Sequence, residues 1–176
     1  LSLVGSEMCI RDSIDKGHEE IAFIMTSKDD TVLERERLSG YEQALNESNI
    51  KLDESLIKYG GTTYEAGYES MKELLEEGIV PQAAFVTGDE AAIGAINAAC
   101  DKGYKVPEDI SVAGFNDVKI AKMYRPKLTT VYQPLYDMGA VAIRMVIKLI
   151  NKEHLESKKI ELPYKIIERE SVIPRK

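Results

Sequence analysis

Residues 103–133 read GYKVPEDISVAGFNDVKIAKMYRPKLTTVYQ and decide the fold of this chain. The run contains two apolar segments, 110–115 and 128–133, which we predict to be buried strands. Between them lies a polar break that begins at Asn116. In open α/β sheets, ligands bind beyond the carboxyl ends of the strands. We therefore expect a ligand site where the first of these strands ends.

The same run carries an ordered motif. Residues 103–117 follow the pattern G-x-x-V-P-x-D-I-S-V-x-G-F-(D/N)-D, and residues 126–134 follow P-x-L-T-T-V-x-Q-P. This arrangement resembles the effector-binding core of the LacI/GalR family of bacterial transcription regulators. The resemblance implies an α/β, periplasmic-binding-protein-like (type I) fold, with a parallel sheet flanked by helices. It also implies that this chain holds an incomplete form of a bilobal domain.

Patterning outside the motif predicts the same fold class. Short apolar segments at 21–25, 56–59 and 83–87 alternate with helical segments at 31–47, 64–77 and 89–102. Strands that alternate with helices are typical of a parallel sheet with right-handed crossovers. Thr62 and Glu65 fit a capping box at the start of the second of these helices.

The resemblance divides the chain into four parts. Residues 1–13 match nothing in the family, so we interpret them as a non-native leader and exclude them from the fold. Residues 14–134 are expected to be the C-terminal effector-binding subdomain, with a remnant helix of the first subdomain at its start. Residues 135–152 are expected to be a helix that returns to the first subdomain, and residues 153–176 the final strand segment. The helix-turn-helix DNA-binding domain of the family is expected to lie outside this chain.

Composition and motifs argue for a binding module. The formal net charge of −7 is the wrong sign for a nucleic-acid surface, which needs clustered Lys and Arg. The two histidines, His18 and His154, accompany no nucleophile or carboxylate motif, so a solvated or capping role is expected for both. The sequence shows no phosphate-binding glycine loop and no metal-ligand cluster, and we predict neither an enzyme nor a cofactor. Cys100 is expected to be buried, and a reducing, cytoplasmic setting fits two cysteines that lie far apart.

Four residues are candidates for the effector site. Arg37 occupies the place of the family's R-L-x-G arginine, whose planar guanidinium suits effector hydroxyls or phosphate, and we expect it at the rim of the cleft. The alternative is a surface arginine paired with Glu34 or Glu36. Asn116 stands where the family usually has a sugar-binding aspartate. Gln133 and Asp89 complete the set, although Gln133 has the alternative of bonding neighbouring backbone and Asp89 that of a helix N-cap.

The segment 136–148 offers a second kind of site. It resembles the helix by which the catabolite-control branch of the family binds serine-phosphorylated HPr, a phosphoprotein corepressor. The positions that match are Tyr136, Asp137, Val141, Arg144 and Lys148. The last four share one helix face, and Arg144 and Lys148 lie one turn apart, a spacing suited to a phosphoserine. The alternative is an outer face with scattered, solvated charge.

These features predict the ligand-sensing and dimerising part of a LacI/GalR-type regulator. Its expected partners are a sugar or sugar phosphate, or serine-phosphorylated HPr. Operator DNA would be contacted through a headpiece outside this chain, and the assembly is expected to be a homodimer with no membrane contact. The rival is a periplasmic ABC-type sugar-binding protein, which has the same bilobal fold.

Overall fold

The fold comes from a computed structural model that describes residues 2–26, 32–154, 160 and 162–175. Six helices lie in this part of the chain: α1 (Ser2–Asp15), α2 (Val32–Glu47), α3 (Tyr64–Glu76), α4 (Asp89–Asp101), α5 (Lys119–Met123) and α6 (Leu135–Ile150). Its strands are β1 (Ile21–Met25), β2 (Ile57–Tyr59), β3 (Ala83–Val86), β4 (Ser111–Asn116), β5 (Thr129–Tyr132) and β6 (Lys165–Ile167). Residue 31, which the sequence assigns to a helix, lies outside the described residues.

One sheet joins all six strands in the order β2-β1-β3-β4-β5-β6. The first five are parallel, as predicted, and β6 runs antiparallel to β5. From β1 the chain first adds β2 on one side of the sheet and then β3 on the other side. The strand order therefore reverses between β1 and β3. A crevice forms at such a switch point, where the connections leave neighbouring strands on opposite faces of the sheet. The crevice is therefore expected at the carboxyl ends of β1 and β3.

Helices cover both faces of the sheet. Alternate residues of each buried strand supply two cores, because successive side chains point to opposite faces. Phe23, Phe85 and Phe115 lie in the core that also contains Tyr41 of α2, with ring centroids 5.0 Å apart for Phe23 and Tyr41. The opposite core contains Ala22, Ile24, Val86 and Val112, together with the inner faces of α3 and α4. The two cores hold the sheet rigid between helix layers.

The N-terminal segment takes part in this fold. We had excluded residues 1–13, but α1 packs against α2, and Cys9 and Ile10 are buried in the core beside Phe23. Excluding the whole segment was therefore wrong, while its non-native origin stays a prediction. The same helix, α1, also packs on the sheet, in contact with β3, β5 and β6.

His18 is buried, so it is not solvated, but its contact with the last turn of α1 is the capping role given as the other possibility. Its Nδ1 lies 2.8 Å from the carbonyl oxygen of Ser13, and its Nε2 lies 3.1 Å from the hydroxyl of Ser111. Burial lowers the pKa of the imidazole, so the neutral form is favoured. His18 thus ties the end of α1 to the start of β4.

Two smaller predictions also need correction. Cys100 is exposed on α4, not buried. The N-cap of α3 is Thr63, not Thr62, because the Thr63 hydroxyl accepts the bond from the amide of Ala66 at 3.3 Å. A one-residue error is normal for helix ends, since neighbouring Thr residues have the same capping chemistry.

Helix α6 differs from the other long helices because none of its residues is buried. It nevertheless carries large apolar side chains, and Ile143, Ile147 and Ile150 are each more than half exposed. Among the described residues, no helix has both the length and the apolar character needed to span a membrane.

Candidate functional site

Polar side chains converge where β1 and β3 end. The hydroxyls of Thr26 and Thr87, one residue beyond each strand, lie 3.3 Å apart. The Thr26 hydroxyl also donates to Glu34 of α2 at 2.8 Å. The switch point is therefore lined by hydroxyl and carboxylate groups, which suit ligands that donate and accept hydrogen bonds.

Arg37 lies beside these groups, but it is not at an exposed rim. Its Nη1 donates to Glu34 at 2.9 Å, and its guanidinium lies 5.0 Å from the centre of the Phe115 ring. Only 7% of the residue is exposed. Burial lowers the pKa of Arg37, and the neighbouring Glu34 opposes that effect. The pairing with Glu34 foreseen as an alternative is present, but inside the site and not on the surface.

One nitrogen of Arg37 has no partner in the structure. Its Nε is buried and makes no hydrogen bond with any described residue. An unpaired buried donor is costly, and sites that bind polar ligands are where such donors are retained. Arg37 therefore has a buried donor that the described residues do not use.

Asp89 is the first residue of α4, and Gly88 occupies the N-cap position. The N-cap interpretation was therefore wrong. The carboxylate instead accepts bonds from the Thr130 hydroxyl at 2.6 Å and from the backbone amide of Val118 at 2.7 Å. It thus joins the start of α4 to β5 and to the loop that follows β4.

That loop, residues 116–118, has an unusual backbone. Asn116 and Asp117 have φ angles of 105° and 53°, in the left-handed region that residues with a Cβ atom rarely adopt. Only 7% of the Asp117 side chain is exposed, and its carboxylate pairs with Arg169 at 2.6 Å. The loop turns sharply away from β4, next to the hydrogen bonds that Asp89 accepts. This turn brings polar groups together at the end of the strand.

Gln133 follows β5 directly and is half-buried at the same edge of the sheet. Its backbone carbonyl accepts from the amide of Leu135 at the start of α6. All four predicted residues therefore lie at the carboxyl edge of the sheet.

Sequence reasoning missed three further residues at this edge, Asp117, Thr130 and Arg169, and it placed Glu34 only as a surface partner of Arg37. The sequence motif could have indicated Asp117, because this residue directly follows Asn116 in the polar break. Arg169 had no local signal, since 52 residues separate it from its partner Asp117. No group of three or more His, Cys, Asp or Glu side chains in the described part of the chain is arranged to hold a metal ion.

The burial of Asp89 predicts a specific pH dependence of stability. Burial raises the pKa of this carboxyl to about 6, although the bonds from Thr130 and Val118 oppose the shift. The folded protein therefore binds the proton more tightly than the unfolded chain does. The resulting stabilisation is complete below about pH 4 and is lost as the pH rises through about 6.

We compare the free energy of unfolding of the wild type with that of Asp89→Asn. Relative to the variant, the wild type should lose about 2–3 kcal/mol of stability between pH 4 and pH 7. Urea denaturation at several pH values measures this difference. A constant difference across that range would show that Asp89 does not titrate in this way.

This chain is similar to known proteins along most of its length. Residues 10–172 match the model of the family described as "Periplasmic binding protein-like domain". The chain is 41% identical over 162 residues to catabolite control protein A of Priestia megaterium, covering 92% of this chain and 49% of that protein. It therefore spans about half the length of this curated relative.

Two solved structures are also similar. The transcription regulator CcpA of Lactococcus lactis is 40% identical with a TM-score of 0.89, covering 97% of this chain and 62% of that one. A sugar-binding transcriptional regulator of the LacI family from Escherichia coli, complexed with phosphate, is 35% identical with a TM-score of 0.89, covering 99% and 62%. With a matching sheet and a matching family model, the chain belongs to the periplasmic binding protein-like domain family, in the form carried by LacI/GalR-type regulators.

Proposed function

We propose that this chain is the ligand-sensing part of a bacterial transcription regulator that binds a small sugar or sugar phosphate. The observation that carries the proposal is the polar cluster at the switch point, where the buried Nε of Arg37 has no hydrogen-bond partner among the described residues and the guanidinium lies beside Phe115. The similarity to regulators that bear the same fold supports a regulatory role over the rival periplasmic sugar-binding protein.

The remaining parts of the protein complete this proposal. Helix α6 exposes large apolar side chains, which suits a helix that packs against a first lobe outside this chain. A ligand held between two lobes would change their relative angle, and in a homodimer this would change the spacing of DNA-reading headpieces. A regulator that reads chromosomal DNA acts in the cytoplasm, and it needs no catalytic residue and no cofactor.

Replacing Arg37 tests the site. We expect Arg37→Ala in the full-length protein to weaken binding of the cognate sugar or sugar phosphate by about 1.5–3 kcal/mol, the range for a hydrogen bond to a charged group. Because Arg37 is buried against Glu34, the free energy of unfolding should also fall, by about 1–3 kcal/mol. Calorimetry against a panel of neutral sugars and sugar phosphates measures the first effect, and urea denaturation the second.

Lys72→Ala is the matched control, because Lys72 makes an exposed ion pair with Glu69 on α3, away from the cluster. It should leave both quantities within about 0.5 kcal/mol of wild type. Unchanged ligand affinity in folded Arg37→Ala protein would remove Arg37 from the site. Absence of binding to any member of the panel by the wild-type protein would count against a sugar effector.

A second candidate function is favoured by α6. Asp137, Arg144 and Lys148 are exposed on one face of the helix, and Val141 between them is half-buried. Tyr136 beside them is 87% exposed. Two cations one turn apart, next to apolar and aromatic groups, are suited to a phosphoserine on a protein surface. We propose serine-phosphorylated HPr as the partner of this face, a corepressor that would act with a small effector or in its place.

A further inference from the structure

The conformation of loop 116–118 needs support from outside the loop. Two successive residues with Cβ atoms, Asn116 and Asp117, have positive φ angles, which the backbone does not favour on its own. Such conformations persist where surrounding contacts determine them. Two of these contacts come from the neighbouring strand and helix: Thr130 accepts from the amide of Asp117 at 3.4 Å, and Asp89 accepts from the amide of Val118 at 2.7 Å.

The third contact comes from the C-terminal tail. The Nη2 of Arg169 donates to Asp117 at 2.6 Å, while its Nη1 donates to the carbonyl oxygen of Leu128 at 2.7 Å. Both side chains of the ion pair are largely buried, with 10% of the Arg169 side chain and 7% of the Asp117 side chain exposed. The planar fork of the guanidinium thus spans the loop and the residue that precedes β5 with two nitrogens held in a fixed geometry, which the single nitrogen of a lysine does not provide.

Arg169 is itself fixed by the tail that carries it. Two residues later, Ser171 is fully buried, its carbonyl oxygen accepts from the amide of Val112, and its hydroxyl donates to the carbonyl oxygen of Val112. The same hydroxyl oxygen accepts from the amide of Thr129 at 2.8 Å. The tail is therefore hydrogen-bonded to both β4 and β5, and these bonds fix the backbone that carries Arg169.

We propose that Arg169 is a positioning residue for loop 116–118, and that the C-terminal tail acts through it to hold this loop in the observed conformation. Among the described residues, removing the guanidinium leaves the Asp117 carboxylate with the exposed Lys122, 3.7 Å away, as its only cationic partner within ion-pair distance. The loop would then relax towards ordinary backbone angles. That the loop contacts an effector rests on the proposed function, but its dependence on Arg169 does not.

Amide hydrogen exchange of Val118, read by NMR in the full-length protein, tests this dependence. In Arg169→Gln we expect exchange of the Val118 amide to be at least about tenfold faster than in wild type, the effect of losing a charge-assisted bond that supports the loop. Amides of β3, in the centre of the sheet, should exchange at the wild-type rate. The control is Lys127→Gln, which breaks the exposed ion pair of Lys127 with Glu170 in the same tail and should leave Val118 unchanged.

Variants of Asp117 separate positioning from general stability. Asp117→Asn keeps an acceptor for Arg169 and should protect Val118 better than Asp117→Ala does. Arg169→Gln should add little to Asp117→Ala, because both remove the same contact. If Arg169→Gln fails to fold, Arg169→Lys, which keeps the charge and loses the fork, provides the same comparison.

Equal acceleration of Val118 and of the β3 amides, or an unchanged Val118 rate, would overturn the inference. A separate arm measures calorimetric binding of glucose and glucose 6-phosphate to the same variants. Absence of binding by the wild type would count against the proposed effectors and would leave the exchange result standing.

Discussion

Replacing Gly94 by alanine is expected to lower the free energy of unfolding by about 3 kcal/mol or more, at the upper end of the range for overpacking. A Cβ atom at Gly94 of α4 would lie 1.9 Å from the carbonyl oxygen of Tyr64 and 2.8 Å from the amide nitrogen of Tyr68, both on α3. These are backbone atoms, so no change of rotamer relieves the clash. The contact is reciprocal, because a Cβ atom at Gly67 would lie 1.9 Å from the carbonyl oxygen of Ala91.

The matched control is Gly139→Ala on α6. A Cβ atom there meets nothing within 4 Å, and alanine in a helix is favoured over glycine. This variant should therefore raise the free energy of unfolding by about 0.5–1 kcal/mol. Urea denaturation of both variants measures the two effects. Similar values for Gly94→Ala and Gly139→Ala would show that the close approach of α3 and α4 is absent in solution.

The double variant Arg144→Ala/Lys148→Ala should weaken binding of serine-phosphorylated HPr at least about a hundredfold. Each charge-assisted contact with a phosphate contributes about 1.5–3 kcal/mol when partly desolvated, and the variant removes both cations of the exposed face. Surface plasmon resonance of the full-length protein against HPr, with and without serine phosphorylation, measures the loss. Stability should hardly change, because isolated surface charges contribute little.

A control with the same loss of charge is Lys72→Ala/Lys102→Ala, since both lysines make ion pairs with exposed glutamates. It should bind phosphorylated HPr as the wild type does. If the phosphorylated and unmodified forms of HPr bind the wild type equally well, the corepressor proposal is wrong. A small effector would then be the remaining regulator of this protein.

The alternation of apolar segments with helical ones was enough to predict the parallel α/β sheet. Short runs such as IAFIM at 21–25 and AAFV at 83–86 are apolar throughout because both faces of β1 and β3 are covered by helices. The carboxyl-edge location of Asn116 followed from the same reasoning, because residues that follow parallel strands meet at one edge of a sheet. Arg37 was named on the resemblance to the family alone. Local sequence carries this information, since strand and helix periodicities are properties of neighbouring residues.

The roles of those residues were decided by tertiary contacts. Whether Asp89 capped its own helix or bonded another strand depended on Thr130, which is brought to it by the pairing of β4 and β5. Arg37 was predicted at a rim but is buried, because Phe115 and Glu34 enclose it. The Asp117–Arg169 pair joins residues far apart in the chain. The residues next to Arg169 in the sequence do not determine which carboxylate its guanidinium contacts. The partner depends on the path that the C-terminal tail takes along the folded sheet.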